Sequence, residues 1–533
     1  MSQARRAIRI LPAVTVSVAF IALAIRMLAP SDLWDQTQPR TIAYTADMLS
    51  RGGSAWILAR DVLAFPATKP PLYNWLAAPF VELFGRGSEI AHKAPSILAA
   101  AAIVALLVRI GNRVASSAGW LAALAWIACY ATIKLGYLAR PDMLLCLILF
   151  VGWLSVVRSL EPSVARTTRE GAAPPAPGIA NALIFWSCVV LAAWTKGPVA
   201  VVLPTFAVVA SLALHRSLRP LRSLRPAWGL PCALVLAPAW YGLVAIIDRD
   251  HLINSLWKDE IYGRVTGTGP EGGHRGIEGI VHGLPYMTLY FFTRFLPWSI
   301  ASALGIAALL DRRDNGGLAK WRTEPEGSTL LLASLWVVLL LVIFSVSSGK
   351  RADYISPAFP PAALVAAWWM MRDRLSPVRA APWIAPVAAA VTVAGIGYYA
   401  WIGPVYSTDT TRRFDEVTSR LRATPRDLPL VVVAPNLAHW AILESSFAPS
   451  ENTMQTALAL VESGQAVRVL VADPDALAIA QARSDEGHGE VLWSIEQTDE
   501  AKRFGYASPV YLFELRPAML VEDHQSSNRH PAS

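Results

Sequence analysis

A chain of 533 residues would ordinarily divide into several soluble domains, but hydrophobic residues make up 54% of this one and charged residues only 16%, where soluble domains carry about 25% charge. The mean hydropathy is +0.40 and the net charge +8. The basic residues fall in short tracts between apolar runs, the pattern that orients inner-membrane proteins, and this argues against a nucleic-acid partner.

In chain order, Arg5, Arg6 and Arg9 precede an apolar run at 10–28. This opening mimics a secretory signal, but with so many apolar runs following it reads as a retained first membrane helix. A span takes about 20 mostly apolar residues. Further spans are predicted at 90–108, 114–133, 141–157, 177–194, 198–214, 227–247, 295–310, 329–346, 355–371 and 381–402. The expectation is a polytopic α-helical membrane protein of about eleven transmembrane helices, thirteen at the upper limit.

The connections alternate in character. One set carries Arg109 and Arg113; Arg158, Arg166 and Arg169; Arg216, Arg219, Arg222 and Arg225; Arg312, Arg313, Lys320 and Arg322; and Arg372, Arg374 and Arg379. The positive-inside rule places these with the N-terminus in the cytoplasm. An odd helix number then sends the other set to the periplasmic side of a bacterial inner membrane: segments 29–89 and 248–294, turns near 134–140, 195–197 and 347–354, and the C-terminal region. A proline-rich stretch at 158–178 reads as a cytoplasmic linker. The four cysteines, Cys129, Cys146, Cys188 and Cys232, lie in apolar stretches without CxxC spacing, which argues against a disulfide framework or a thiolate metal site.

Composition changes near Val405. Strands are expected near 428–434, 466–472, 490–495 and 510–515, with helices near 453–462 and 476–483. The predicted division is a membrane domain over 1–404, a small α/β periplasmic domain over 405–520 and a polar, disordered tail over 521–533.

The outward segments carry the chemistry. The first holds Asp32 and Asp35 around Trp34, an amphipathic stretch from Arg40 to Arg51, and Thr68-Lys69-Pro70-Pro71. Its alternation of aromatic and charged residues suits helices lying in the membrane interface. Three turns add Arg140-Pro141-Asp142, Thr195-Lys196-Gly197-Pro198, and Gly349-Lys350-Arg351-Ala352-Asp353-Tyr354. Ionisable groups beside hydrocarbon are costly and read by default as functional. Cations converging with one or two carboxylates suit a lipid-linked phosphate donor: the cations neutralise the phosphate leaving group, and a carboxylate takes the acceptor's proton. Each also has a structural reading. Asp35 could cap a helix, Lys69 could anchor at the headgroups, Arg140 and Asp142 could pair across Pro141, and Lys196 could mark a helix break.

Taken in order, the motifs W-D-Q-T, T-K-P-P-L, A-R-P-D-M, W-T-K-G-P and S-G-K-R-A-D-Y-I-S-P resemble those of the GT-C superfamily of membrane glycosyltransferases. The resemblance covers roughly 10–370. It points to the branch holding the lipid A aminoarabinose transferase, the protein O-mannosyltransferases and the rhizobial lipopolysaccharide galacturonosyltransferases. It implies inverting transfer from a polyprenyl-phosphate sugar to a glycolipid or protein acceptor. Asp35 would be the general base, Lys69 would contact the donor phosphate, and Arg140, Asp142, Lys196, Lys350, Arg351 and Tyr354 would line the donor pocket. The chain departs from the pattern where relatives carry Asp-Glu (here Asp35-Gln36), a Glu before the Lys-Pro pair (here Thr68), and a His in a later outer loop (here Glu260-Ile261). The Glu and His are candidate metal ligands in the relatives, so their absence leaves the use of a divalent metal in doubt and no cofactor is assigned; His274 or His282 could substitute, but nothing in their spacing argues for it. A lipid-linked-sugar transporter is the alternative from another class. It would usually show inverted repeats, whereas no domain-sized repeat is found and the charges cluster on one face.

Overall fold

In the computed structural model the described residues are 2–28, 37–61, 65–115, 117–168, 178–263, 276–311, 321, 324–346, 351–371, 387–395, 397, 417, 419–421, 423–424, 427–433, 453–495 and 509–517. Among them, seven helices are long and apolar enough to cross a membrane: Ile10–Leu28, Glu89–Val114, Pro141–Leu160, Ile179–Lys196, Pro198–His215, Pro226–Ile247 and Glu326–Val346. An eighth span would be the pair Gly283–Arg294 and Trp298–Leu310, bent by 115°. Large apolar side chains stand outward along several of these helices, Phe20, Val235 and Ile246 among them. Lipid would cover such surfaces, and the chain is a polytopic α-helical membrane protein.

Three expected spans fold in pieces. The run at 114–133 gives a helix at Ala118–Ile127 and a short one at Tyr130–Leu135. The run at 295–310 starts as a helix only at Trp298, after Pro297. The run at 355–371 opens as a 3-10 turn, Ala352–Ala358, before the helix Phe359–Met370. The expected linker at 158–178 is helical through Thr168; the rest of it up to residue 177, the expected run at 381–402 and the basic tracts at 312–320 and 372–379 lie wholly or mostly outside the described residues.

The chain divides into two compact units. Unit 1 comprises Met1–Leu28, Thr68–Tyr73 and Pro95–Gly397. Its helices pack closely where side chains are small. A methyl group on Gly111 or Gly119 would collide with the backbone of the facing helix, the small-residue contact typical of membrane bundles. Polar side chains also tie neighbours together: the Asn181 amide donates to the Ser155 carbonyl and the Ser159 hydroxyl, both at 3.1 Å. Trp336 Nε1 donates to the Pro357 carbonyl at 2.9 Å, fixing the 3-10 turn to the Pro325–Val346 helix.

Unit 2 comprises Ala29–Ala67, Asn74–Ala94 and Tyr398–Ser533. The amphipathic stretch forms a helix, Thr37–Arg51, burying Ile42, Ala46 and Met48. Buried Asp47 accepts from Arg51 Nη2 at 2.7 Å and from the Arg60 amide at 2.7 Å. This bond holds the Arg51 pKa above its ordinary value.

The same unit contains a four-stranded sheet in the order β1-β2-β4-β3, with β1 Leu430–Val433, β2 Val467–Val471, β3 Gly489–Ile495 and β4 Val510–Leu515. β1 and β2 are parallel, and the other pairs are antiparallel. A parallel pair needs a crossover, and the helix Met454–Glu462 supplies one, capped by Thr453 accepting from the Thr456 amide. Asp473 caps the helix Pro474–Asp485 in the same way. Val431, Val469, Phe513 and Ala457 form the core between sheet and helices.

Candidate functional site

The turns singled out in the sequence converge in unit 1. Pro141, at the first position of the Pro141–Thr168 helix, fits the N-terminal turn where a missing N–H costs nothing. It places Asp142 in the first turn, where the helix dipole favours a carboxylate. Asp142 is 4% exposed and takes two cations: Arg140 Nε at 3.1 Å, and Lys196 Nζ in direct hydrogen-bond contact. Arg140 reaches a second carboxylate with its other arm, Nη1 to Asp353 Oδ2 at 3.0 Å. Lys134 Nζ approaches that same oxygen at 3.3 Å. The result is a chain of alternating charge, Lys196–Asp142–Arg140–Asp353–Lys134, buried at Asp142 and Arg140 and partly buried at its other members, in which both carboxylates hold two cations.

Backbone features fix this chain in place. Gly197 ends the Ile179–Lys196 helix at φ 80°, a left-handed value that glycine adopts without penalty. The Ser96 hydroxyl donates to the Leu138 carbonyl at 2.6 Å and lies 3.2 Å from the Arg140 carbonyl. The Tyr73 hydroxyl shares a 3.1 Å hydrogen bond with Ser96, and burial raises the Tyr73 pKa above its ordinary value. The Ser356 hydroxyl donates to the Asp353 carbonyl at 2.6 Å.

A cavity of about 240 Å³ opens beside the charges, lined by Thr68, Lys69, Asp142, Lys196, Asp353 and Tyr354 together with apolar Leu145, Val199 and Phe344. Lys196 Nζ stands 4.4 Å from the centroid of the Tyr354 ring, close enough for an attraction of about 1 kcal/mol. One wall is the π-helical segment Leu252–Tyr262, which contributes Leu256, Glu260 and Ile261. Such wide turns occur often at functional sites.

Of the expected site residues, Lys69, Asp142, Lys196 and Tyr354 line one cavity, and Arg140 pairs with two of its three lining carboxylates, Asp142 and Asp353. Arg351 begins the 3-10 turn, its carbonyl accepting from the Tyr354 amide at 3.1 Å. Asp35 and Lys350 lie outside the described residues, as do His274 and the side chain of His282. Sequence reasoning passed over Lys134 and the role of Asp353, and noted Glu260 only as a departure. Asp353 sat inside a quoted motif. Lys134 ended an apolar run and carried no other signal.

Comparison with known proteins follows the same residues. Positions 68–241 match the Dolichyl-phosphate-mannose-protein mannosyltransferase family. An Undecaprenyl phosphate-alpha-4-amino-4-deoxy-L-arabinose arabinosyl transferase from Shewanella sediminis is 24% identical over 360 residues, 67% of this chain and 59% of that one. The enzyme of the same description from Pectobacterium carotovorum is 26% identical over 407 residues, 72% of this chain and 65% of the other. The chain thus spans about 60% of the length of the curated relatives it matches. In three dimensions it is similar to ArnT from Cupriavidus metallidurans bound to undecaprenyl phosphate, with a TM-score of 0.64, 18% identity and coverage of 95% of this chain and 97% of that one. The apo form of the same protein gives the same TM-score, 0.64, at 17% identity. In motif order, in sequence over 68–241 and in fold, this chain resembles the GT-C membrane glycosyltransferases of the aminoarabinose transferase and protein mannosyltransferase branch.

Proposed function

We propose that the chain transfers a sugar from a polyprenyl-phosphate carrier to an acceptor on the periplasmic face of the bacterial inner membrane, with inversion at the anomeric carbon. The observation that carries this reading is the cavity in which Lys69 and Lys196 face the same space as Tyr354 and two carboxylates already occupied by cations. Asp142 and Asp353 are committed to their cations, so they hold the positive groups in place; neither is the base. The family resemblance gives that role to Asp35, on the segment that opens the first outer loop.

In the proposed reaction the acceptor oxygen forms a bond to the anomeric carbon while its proton passes to Asp35. The bond from that carbon to the phosphate oxygen breaks, and its electron pair leaves on the polyprenyl phosphate. Lys69 and Lys196 offset the charge that develops there, an electrostatic term that in other enzymes is often worth about 3 kcal/mol for each donor. Lys350, Arg351 and Tyr354 complete the donor side, and Arg140 orients Asp142 and Asp353. The apolar wall of Leu145, Val199 and Phe344 suits the first isoprene units of the carrier.

The wider frame of the proposal is an odd number of spans, about eleven, with the N-terminus inside and residues 405–520 as an outer domain that meets the acceptor. A lipid A-type glycolipid is the favoured acceptor, on the resemblance to the lipid A aminoarabinose transferases; the descriptions of the curated relatives name an undecaprenyl-phosphate sugar donor. The family match at 68–241 supports a protein hydroxyl as the in-family variant. Mass spectra of lipid A, other envelope glycolipids and envelope proteins, taken with and without the gene, separate the two. No mass change in any of them removes the proposal. In membranes, Asp35→Asn should insert normally and lose transfer activity by on the order of 1000-fold; full activity there would move the base elsewhere.

A further inference from the structure

We infer a second binding site at the far end of the same membrane helices, a cavity that takes the phosphate headgroup of an anionic phospholipid. Asp142 starts the Pro141–Thr168 helix at the candidate site, and Arg158 follows about 24 Å further along it at 1.5 Å rise per residue. There a cavity of about 180 Å³ is lined by Arg158, by Arg109 and Arg113 of the Glu89–Val114 helix, and by Glu326 and Thr329 of the Pro325–Val346 helix. All of these residues belong to unit 1.

Among the described residues, none of the three guanidinium groups forms an ion pair or hydrogen bond. Arg109 and Arg113 are one turn apart on the same face, a like-charge pair that repels unless an anion sits between them. Arg158 brings a third positive charge from another helix, against the single carboxylate of Glu326. A planar guanidinium matches phosphate with two parallel hydrogen bonds. The remaining walls, Leu106, Ile110, Leu154 and Val157, belong to the membrane-crossing parts of their helices and would meet acyl chains. Basic pockets between membrane helices recognise lipid headgroups in this manner, and a soluble phosphate would leave the apolar walls unused.

The test uses the full chain in detergent micelles doped with phosphatidylglycerol or phosphatidylcholine, with retained lipid counted by native mass spectrometry. The wild type should retain phosphatidylglycerol in preference. The triple variant Arg109→Gln, Arg113→Gln, Arg158→Gln should lose affinity on the order of 100-fold. A second triple, Arg216→Gln, Arg219→Gln, Arg222→Gln, removes equal charge from a loop outside the cavity and should stay within about twofold of wild type. Equal losses in the two triples would reduce the effect to general surface charge and overturn the site, as would undiminished binding in the first. Displacement of the lipid by millimolar inorganic phosphate would overturn the lipid assignment in favour of a soluble anion. In case the first triple does not fold, Arg158→Gln alone should weaken retention about fivefold with its lipid-free melting temperature unchanged; wild-type retention in that variant rejects the proposal.

Discussion

Asp142 accepts from Arg140 and Lys196 at a buried position, so its worth lies in the two cations it restrains. Asp142→Asn keeps the shape but leaves Lys196 without its carboxylate and Arg140 with Asp353 alone, a loss of about 3–5 kcal/mol for a buried pair broken from one side. Thermal unfolding in detergent should show a fall of several degrees. Adding Lys196→Met to that variant should restore part of the loss, because the two positions share one interaction; strictly additive losses would contradict the pairing. Gly197→Ala places a methyl group 2.8 Å from the Tyr241 hydroxyl at φ 80°, a combination costing about 1–2 kcal/mol. Since Tyr241 lines the cavity, transfer should fall more than stability does, as a kcat/KM assay beside a melting curve would reveal. The motifs made Lys69, Asp142, Lys196 and Tyr354 legible because charges at membrane depth are rare. They could not reveal which cation each carboxylate holds, so Lys134 and Asp353 emerged only from geometry. Pairing is a property of three-dimensional approach, and no spacing along the chain encodes a link from residue 134 to residue 353.

At the scale of elements, apolar length was a good guide wherever a helix runs unbroken. Pro141–Leu160 and Glu326–Val346 start and stop near their expected limits. It misled where a run is interrupted, in two of three cases at prolines, since a hydropathy window averages across the break. Pro297 precedes the helix at Trp298, and Pro357, Pro360 and Pro361 cluster where the 3-10 turn passes into the Phe359–Met370 helix. The second interruption brings a polar turn to the cavity: the 3-10 turn carries Asp353 and Tyr354 to its wall. Close helix approach is a second element-scale feature that hydropathy does not record. Gly119→Leu would drive a side chain into the backbone of Val108 and force the Glu89–Val114 and Ala118–Ile127 helices apart. The expected cost is about 3 kcal/mol, read as lower yield of folded protein and a lower melting temperature. Gly242→Ala, in the Ala239–Ile247 helix with open space around the added methyl, should be neutral or stabilising by up to about 1 kcal/mol. Equal destabilisation by both changes would show that the contact with Val108 has no special weight.

For the whole molecule, the decisive quantity is the parity of the spans, because parity decides which face of the membrane each charged turn meets. The basic tracts and the cavity-forming turns alternate along the chain. An orientation that puts Arg216–Arg225 inside therefore puts Lys69, Asp142 and Lys196 outside. Single cysteines read by a membrane-impermeant maleimide test this orientation. Cys129, Cys146 and Cys188 are buried, and Cys232 is exposed, so a Cys232→Ser background removes the one accessible native thiol. Leu218→Cys, at an exposed position in the basic loop, should remain unlabelled in intact spheroplasts and react after permeabilisation. Gln481→Cys, exposed on the Pro474–Asp485 helix, should react in intact spheroplasts. The reverse pattern would turn the cavity toward the cytoplasm, where an acceptor on the envelope side could not reach it. Labelling of both positions from outside would place an even number of crossings between them and break the alternation on which the proposed orientation stands.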